Sequence, residues 1–231
     1  MLPLHDNVPT RRFPVVTVGL IGANFVVWFW ELHARASVVE RDAYYPCAVQ
    51  GPCLGPAAHD HLPAWEGAFT SMFMHASWLH ILGNMLFLWI FGNNVEDALG
   101  RVRFLLWYLA AGLAATATQT FVTLHYAGAA AASVPNLGAS GAIAGVLGAY
   151  LLLLPTAKVL TLIGIFPIPL PAFLFLGGWF VLQAWEAGFA VTHPASGGGV
   201  AFFAHVGGFL FGAVTVYLVA RRPLLRPRSL R

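Results

Sequence analysis

Ser140 stands in Gly138-Ala139-Ser140-Gly141-Ala142-Ile143-Ala144-Gly145, a hydroxyl between small residues at the head of a short apolar stretch that ends near Pro155. There a serine can pack against a neighbour, cap a helix or act as a nucleophile. As a nucleophile it is weak until a base takes its proton. His205 is the only titratable residue of its own apolar run and the best base in the chain. His80 and Asn84 stand four apart, on one face of a helix, and both can donate hydrogen bonds. Acyl transfer needs such donors for the developing oxyanion, each worth about 2.7–4 kcal/mol where one has been removed. The Ser140 backbone N–H, at a helix start, can add another.

Other chemistries fit these residues less well. Gly138-Ala139-Ser140-Gly141-Ala142 lacks the second glycine of a G-x-S-x-G elbow. Lys158 lies eighteen residues beyond Ser140, roughly 27 Å away by helical rise, too far for a Ser-Lys mechanism. His80-Ile81-Leu82-Gly83-Asn84 is not the H-E-x-x-H of a metalloprotease. No fixed ligand spacing supports a zinc site built from His75, His80 and His205, so neither a metal nor a cofactor is expected. There is no glycine-rich phosphate loop.

The elements that must carry these groups are membrane helices. The chain has 231 residues, 58% hydrophobic and only 9% charged. A soluble domain carries nearer a quarter charged residues, so there are too few charges here to coat a soluble surface. Apolar runs predict six spans, at about 14–32, 77–95, 104–124, 140–155, 162–186 and 200–220, since one crossing needs about 20 residues. The fourth is short. Pro167, Pro169 and Pro171 should bend or delay the fifth. A long polar loop, 33–70, joins the first two spans. An alanine- and glycine-rich loop covers 125–137, and the loop at 187–199 ends in Gly197-Gly198-Gly199.

Within the spans the polar residues are Asn24, His80, Asn84, Gln119, Ser140, Gln183 and His205. Intramembrane polar groups are costly and tend to be functional. Asn24, Gln119 and Gln183 read more simply as helix-to-helix hydrogen bonds. Depth separates the others. Anchored near Pro155, the fourth span leaves Ser140 about 8 Å below the outer boundary of a roughly 30 Å hydrocarbon layer. His205 comes out about 8 Å deep, His80 about 6 Å and Asn84 about 12 Å. Three helices thus deliver polar groups to one layer. No acidic residue lies in the predicted membrane interior, which argues for a Ser-His dyad without an aspartate. A helix that starts below the surface has an electropositive end and needs irregular chain above it, which implies a water-filled cavity with Ser140 at its floor. Gly141, Gly145 and Gly148 on the fourth span, and Ala204, Gly208 and Gly212 on the sixth, form small-residue stripes. If these face one another, the two helices approach closely and Ser140 meets His205.

Six spans put both ends on one side. Of the twelve Lys and Arg residues, only Arg35 and Arg41 fall outside the tails and the even-numbered turns. The positive-inside rule therefore makes both termini cytoplasmic. The division expected is an N-terminal tail over 1–13, a six-helix domain over 14–220 and a basic tail over 221–231. That tail reads as a topology signal, with no nucleic-acid partner. Arg11 and Arg12 precede the first apolar run and Ala34-Arg35-Ala36 resembles a cleavage site, but the run is long and aromatic for a leader and reads as a retained span. Cys47 and Cys53 could pair if the loop at 33–70 faces an oxidising compartment; otherwise they are free thiols.

Assembled, these residues resemble the rhomboid family of intramembrane serine proteases, over about residues 14–220. Gly138-Ala139-Ser140-Gly141 resembles the family's GxSG, and Ala204-His205-Val206-Gly207-Gly208 its AHxxG. His75-Ala76-Ser77-Trp78-Leu79-His80-Ile81-Leu82-Gly83-Asn84 resembles its HxxxxHxxxN. The resemblance implies Ser140 as nucleophile, His205 as base, and His80, Asn84 and the Ser140 N–H as oxyanion donors. It implies structural roles for His75, Gly138, Gly141 and Gly208, and for the turn holding Glu96 and Gly100. One departure stands out. Many members carry a Trp-Arg pair in the first outer loop, whereas here Trp65 is followed by Glu66.

The expectation is an all-α, six-helix membrane bundle with a short central fourth helix. It would hydrolyse peptide bonds in or near transmembrane segments of membrane proteins, through an acyl-enzyme, with its site opening to the outer side of a bacterial inner membrane. A non-catalytic rhomboid-like binder of transmembrane helices is the alternative, and it would need neither Ser140 nor His205. A transporter would show inverted repeats, and none is evident.

Overall fold

The computed structural model describes residues 2–58, 60–192 and 201–221. The Gly197-Gly198-Gly199 loop and the basic tail beyond Arg221 lie outside them. The elements, in order, are β1 (Leu2–Asp6), α1 (Val15–Glu31), α2 (Ala36–Asp42), α3 (Ala64–Thr70), α4 (Trp78–Phe87), α5 (Asn93–Leu99), α6 (Arg101–Val122), α7 (Gly128–Ala132), α8 (Ser140–Leu153), β2 (Lys158–Ile163), β3 (Phe166–Pro171), α9 (Ala172–Thr192) and α10 (Phe202–Val219). Wider π-turns at Leu88–Gly92 and Thr123–Ala127 join α4 to α5 and α6 to α7. Helix is the dominant structure.

Among the described residues, three stretches are long and apolar enough to cross a membrane: Arg101–Ala132, Ala172–Ala190 and Phe202–Val219. Ala64–Phe73 with Trp78–Leu99, bent by 83°, makes a fourth if the pair is counted as one span. Val15–Glu31 and Ser140–Leu153 are apolar but shorter.

The centre of the molecule is α8, where Gly141 through Tyr150 are all buried. A helix apolar all round belongs in a core. The two small-residue stripes do face one another. A Cβ on Gly208 would overlap the Gly141 carbonyl, and one on Gly212 the Gly145 carbonyl. Backbone therefore meets backbone along the α8–α10 seam, as small-residue packing requires.

Polar anchors tie the start of α1 to α5. Glu96 on α5 accepts from the Val16 and Thr17 N–H groups and from the Thr17 hydroxyl. Its carboxylate thus satisfies free donors in the first turn of α1, where negative charge is favoured. Gly100, at φ 81°, turns the chain from α5 into α6.

The all-α expectation is corrected by a three-stranded antiparallel sheet in the order β1-β2-β3. The fifth helix does not begin near 162. Residues 158–171 form a hairpin in which Lys158 pairs with Pro171 and Ile163 with Phe166. Pro167, Pro169 and Pro171 recur with the period of a strand. They fall on the edge strand, where a missing N–H breaks no ladder bond and blocks further pairing. Helix α9 starts only at Ala172, whose N–H donates to the Ala157 carbonyl. The segment before α1 is likewise not a plain tail, because Leu2–Asp6 pairs with β2.

Other boundaries shift less. Residues 125–132, expected as loop, continue the third helix through its π-turn into α7. The 33–70 loop holds α2, α3 and a Cys47–Cys53 disulfide with its Cα atoms 5.2 Å apart.

Candidate active site

Ser140 is the first residue of α8, and no side chain caps that helix end. The chain reaches it through a tight passage. Gly138 has φ 123°, which a residue with a Cβ rarely adopts, and a Cβ there would come within 2.8 Å of the His80 ring. Its N–H donates to the Ser71 carbonyl, pinning the passage to the short turn before α4. Gly138 is therefore required both by conformation and by space.

His205 sits in the first turn of α10, opposite Ser140 across the glycine seam. Its Nε2 lies 2.8 Å from Ser140 Oγ. Its Nδ1 meets Gln183 Oε1 of α9 at 2.5 Å. The Trp179 ring lies 5.8 Å from the imidazole, and Phe202 meets it edge-on at 6.5 Å. The imidazole is thus fixed at both nitrogens and along its face. Gln119 on α6 accepts from the Ala204 N–H, which ties the start of α10 to α6.

The second group comes from α4. Ser77 caps this helix by accepting from the His80 N–H. His80 Nδ1 accepts from the Ala76 N–H at 3.5 Å, which leaves the Nε2 side of the ring toward Gly138. Asn84 Nδ2 donates to His75 Nε2 at 3.0 Å. His75 is held in turn by its backbone N–H, which donates to both oxygens of the Glu31 carboxylate. Asn84 Nδ2 also lies 3.7 Å from the point where a Gly138 Cβ would stand. A cavity of about 40 Å³ opens beside Ser140, lined among others by Tyr44, Ser71, Gln119, Gly138 and Gly141. That is more room than one water molecule needs.

The structure therefore brings Ser140, His205, His80, Asn84, His75, Gly138, Gly141 and Gly208 into one region. Two groups were not foreseen there. Gln183 appears in the sequence as one of several intramembrane amides, and nothing in the sequence marks Glu31 for the site. From the sequence Gln183 reads as an ordinary helix-to-helix hydrogen bond, and nothing there names its partner. In the fold α9 runs on to Thr192 and leaves Gln183 9% exposed.

Known proteins resemble this chain over most of its length. A model of the Rhomboid domain matches residues 63–222. Rhomboid protein 1, mitochondrial, of Saccharomyces cerevisiae is 32% identical over 164 residues, taking in 70% of this chain and 44% of that protein. The putative rhomboid protease YdcA of Bacillus subtilis is 35% identical over 144 residues, 61% of this chain and 63% of that one. Presenilin-associated rhomboid-like protein A, mitochondrial, of Danio rerio is 36% identical over 145 residues, 62% of this chain and 34% of that one. The chain thus spans less than two thirds of the length of each of these relatives. With its apolar helices, it is an integral membrane protein. It belongs to the rhomboid family.

Proposed function

We propose that this chain is an intramembrane serine endopeptidase that cleaves peptide bonds in or near transmembrane segments of membrane proteins. The observation that carries the reading is the 2.8 Å contact between Ser140 Oγ and His205 Nε2 at the sunken head of α8. His205 Nε2 takes the Ser140 proton as Oγ attacks the scissile carbonyl carbon. The oxyanion forms beside Gly138, where donors from His80, Asn84 and the Ser140 N–H converge. His205 then gives its proton to the leaving amine, and the acyl-enzyme is hydrolysed by a water that His205 activates. A helical substrate hides its carbonyls in hydrogen bonds, so it must unwind locally first. Small or helix-breaking residues should mark the cleavage region.

The same reading takes α1, Trp78–Leu99, Arg101–Ala132, α8, α9 and α10 as six spans. The excess of Lys and Arg at the chain ends and the inner turns favours cytoplasmic termini. The site then opens to the outer side. The Cys47–Cys53 disulfide, in a loop on that side, suits an oxidising space such as the one outside a bacterial inner membrane.

The test is cleavage by the full chain in liposomes, with a single-span substrate bearing glycine and serine at the outer end of its span. Wild type is expected to cleave it, and Ser140→Ala and His205→Ala each to lose essentially all activity. A fluorophosphonate should label Ser140 in the wild type and fail to label His205→Ala. Cleavage that survives Ser140→Ala overturns the assignment, and binding without cleavage by the wild type favours a non-catalytic role.

A further inference from the structure

We propose that Gln183 is a positioning residue for His205, its side-chain carbonyl holding the imidazole proton on Nδ1 so that the Nε2 lone pair faces Ser140. This rests on the protease reading above. A neutral imidazole carries one N–H donor and one lone pair, and its surroundings decide which nitrogen has which. Gln183 Oε1 is an acceptor only, and it sits at hydrogen-bond distance from Nδ1. The proton therefore belongs on Nδ1. The opposite tautomer would set two lone pairs against each other in a partly buried site, and its Nε2–H would leave no lone pair to receive the serine proton.

The chemistry of the amide suits its depth. A carboxylate behind the histidine would stabilise the imidazolium more strongly, but an ion there is costly to hold away from water. An amide orients the ring without a buried charge. Gln183 neither gains nor loses a proton: the proton travels from Ser140 Oγ to His205 Nε2 and on to the leaving amine.

Trp179, four residues earlier on the same helix, sets its ring 5.8 Å from the imidazole that Gln183 holds, tilted by 38°. One face of α9 thus supplies both the hydrogen bond and the ring contact that orient a histidine carried by α10. It follows that His205 is a competent base only while α9 is seated against α10. A displacement of α9 that separates Gln183 from Nδ1 switches the base off without touching Ser140.

The test compares the full chain in liposomes with Gln183→Met, which keeps the length and removes the acceptor, and Gln183→Glu, which keeps an acceptor. Gln183→Met should lower kcat roughly tenfold to hundredfold with KM nearly unchanged, a part of the roughly 10²–10⁴-fold that a general base itself contributes. Gln183→Glu should recover most of that loss. Independently of turnover, ¹⁵N spectra of histidine-labelled protein should show the Nδ1–H tautomer for the His205 ring in the wild type, assigned by its disappearance in His205→Ala. In Gln183→Met the ring should become a mixture of tautomers. A kcat for Gln183→Met within threefold of wild type, or a tautomer signature that the substitution leaves unchanged, overturns the proposal. A wild type that neither cleaves nor labels sinks the protease reading instead, while the tautomer measurement still tests the bond.

Discussion

An oxyanion donor is useful only if the atoms behind it keep it aimed. Asn84 has two amide hydrogens, and one is committed to His75 Nε2. That bond points the other hydrogen toward the Gly138 passage, and Glu31 steadies His75 from behind. On the proposed mechanism, Asn84→Ala should lower kcat about 10²-fold to 10³-fold, the usual loss for one such donor. It should also cost about 1–3 kcal/mol of stability, because buried His75 Nε2 loses its partner. Cleavage rates and melting temperature, measured on the same preparation, separate the two effects; an unchanged kcat would remove Asn84 from the donor set. At this scale the sequence was most informative where residue type is restrictive. A serine among glycines and a lone histidine in an apolar run stand out as Ser140 and His205 do. Gln183 did not, because a single amide in a membrane helix has many ordinary uses and its partner is visible only in three dimensions.

Helices meet at the site because α8 and α10 approach more closely than side chains permit. At Gly212 a Cβ would overlap the Gly145 backbone, which cannot swing aside as a flexible side chain could. Gly212→Val should therefore destabilise the protein by about 3 kcal/mol, the upper end of usual overpacking costs. The control is Gly19→Ala in α1, where a Cβ meets open space and the helix gains slightly. Thermal unfolding of both variants in one detergent decides the matter, and equal melting temperatures would argue against backbone contact at the seam. The glycine spacing made this seam legible before any coordinates. The hairpin was not legible in the same way. Residues 159–171 are as apolar as a span, and hydrophobicity alone cannot separate a short buried strand from a helix turn. The better signal was the two-residue recurrence of proline, which fits an edge strand and suits no helix interior.

At the scale of the whole molecule, the sheet lies beyond the C-terminal end of α8, and Asp6 ties it to the helices. Its carboxylate accepts from Tyr150 of α8 and from Asn94 of α5, while β1 pairs with the hairpin that leads into α9. The mostly helical membrane character was legible because composition is a chain-wide property. This tie was not, because it joins residues 144 positions apart. Burial dominates the Asp6 environment and raises its pKa from 3.8 to about 6, with the Tyr150 and Val8 hydrogen bonds opposing the shift. The folded state therefore holds this proton more tightly than the unfolded chain does. Stability from Asp6 is fully present below about pH 4 and is lost as pH rises to about 6, by up to about 3 kcal/mol at 1.36 kcal/mol per pH unit. Asp6→Asn keeps a neutral acceptor for Tyr150 and cannot ionise. The difference in stability between this variant and the wild type should accordingly grow in the variant's favour between pH 4 and pH 6 and level off above that. Equilibrium unfolding at half-unit steps of pH measures it directly. A difference that stays constant across the range would mean that Asp6 is ionised in the fold throughout, and that its hydrogen bonds, rather than its burial, set its charge.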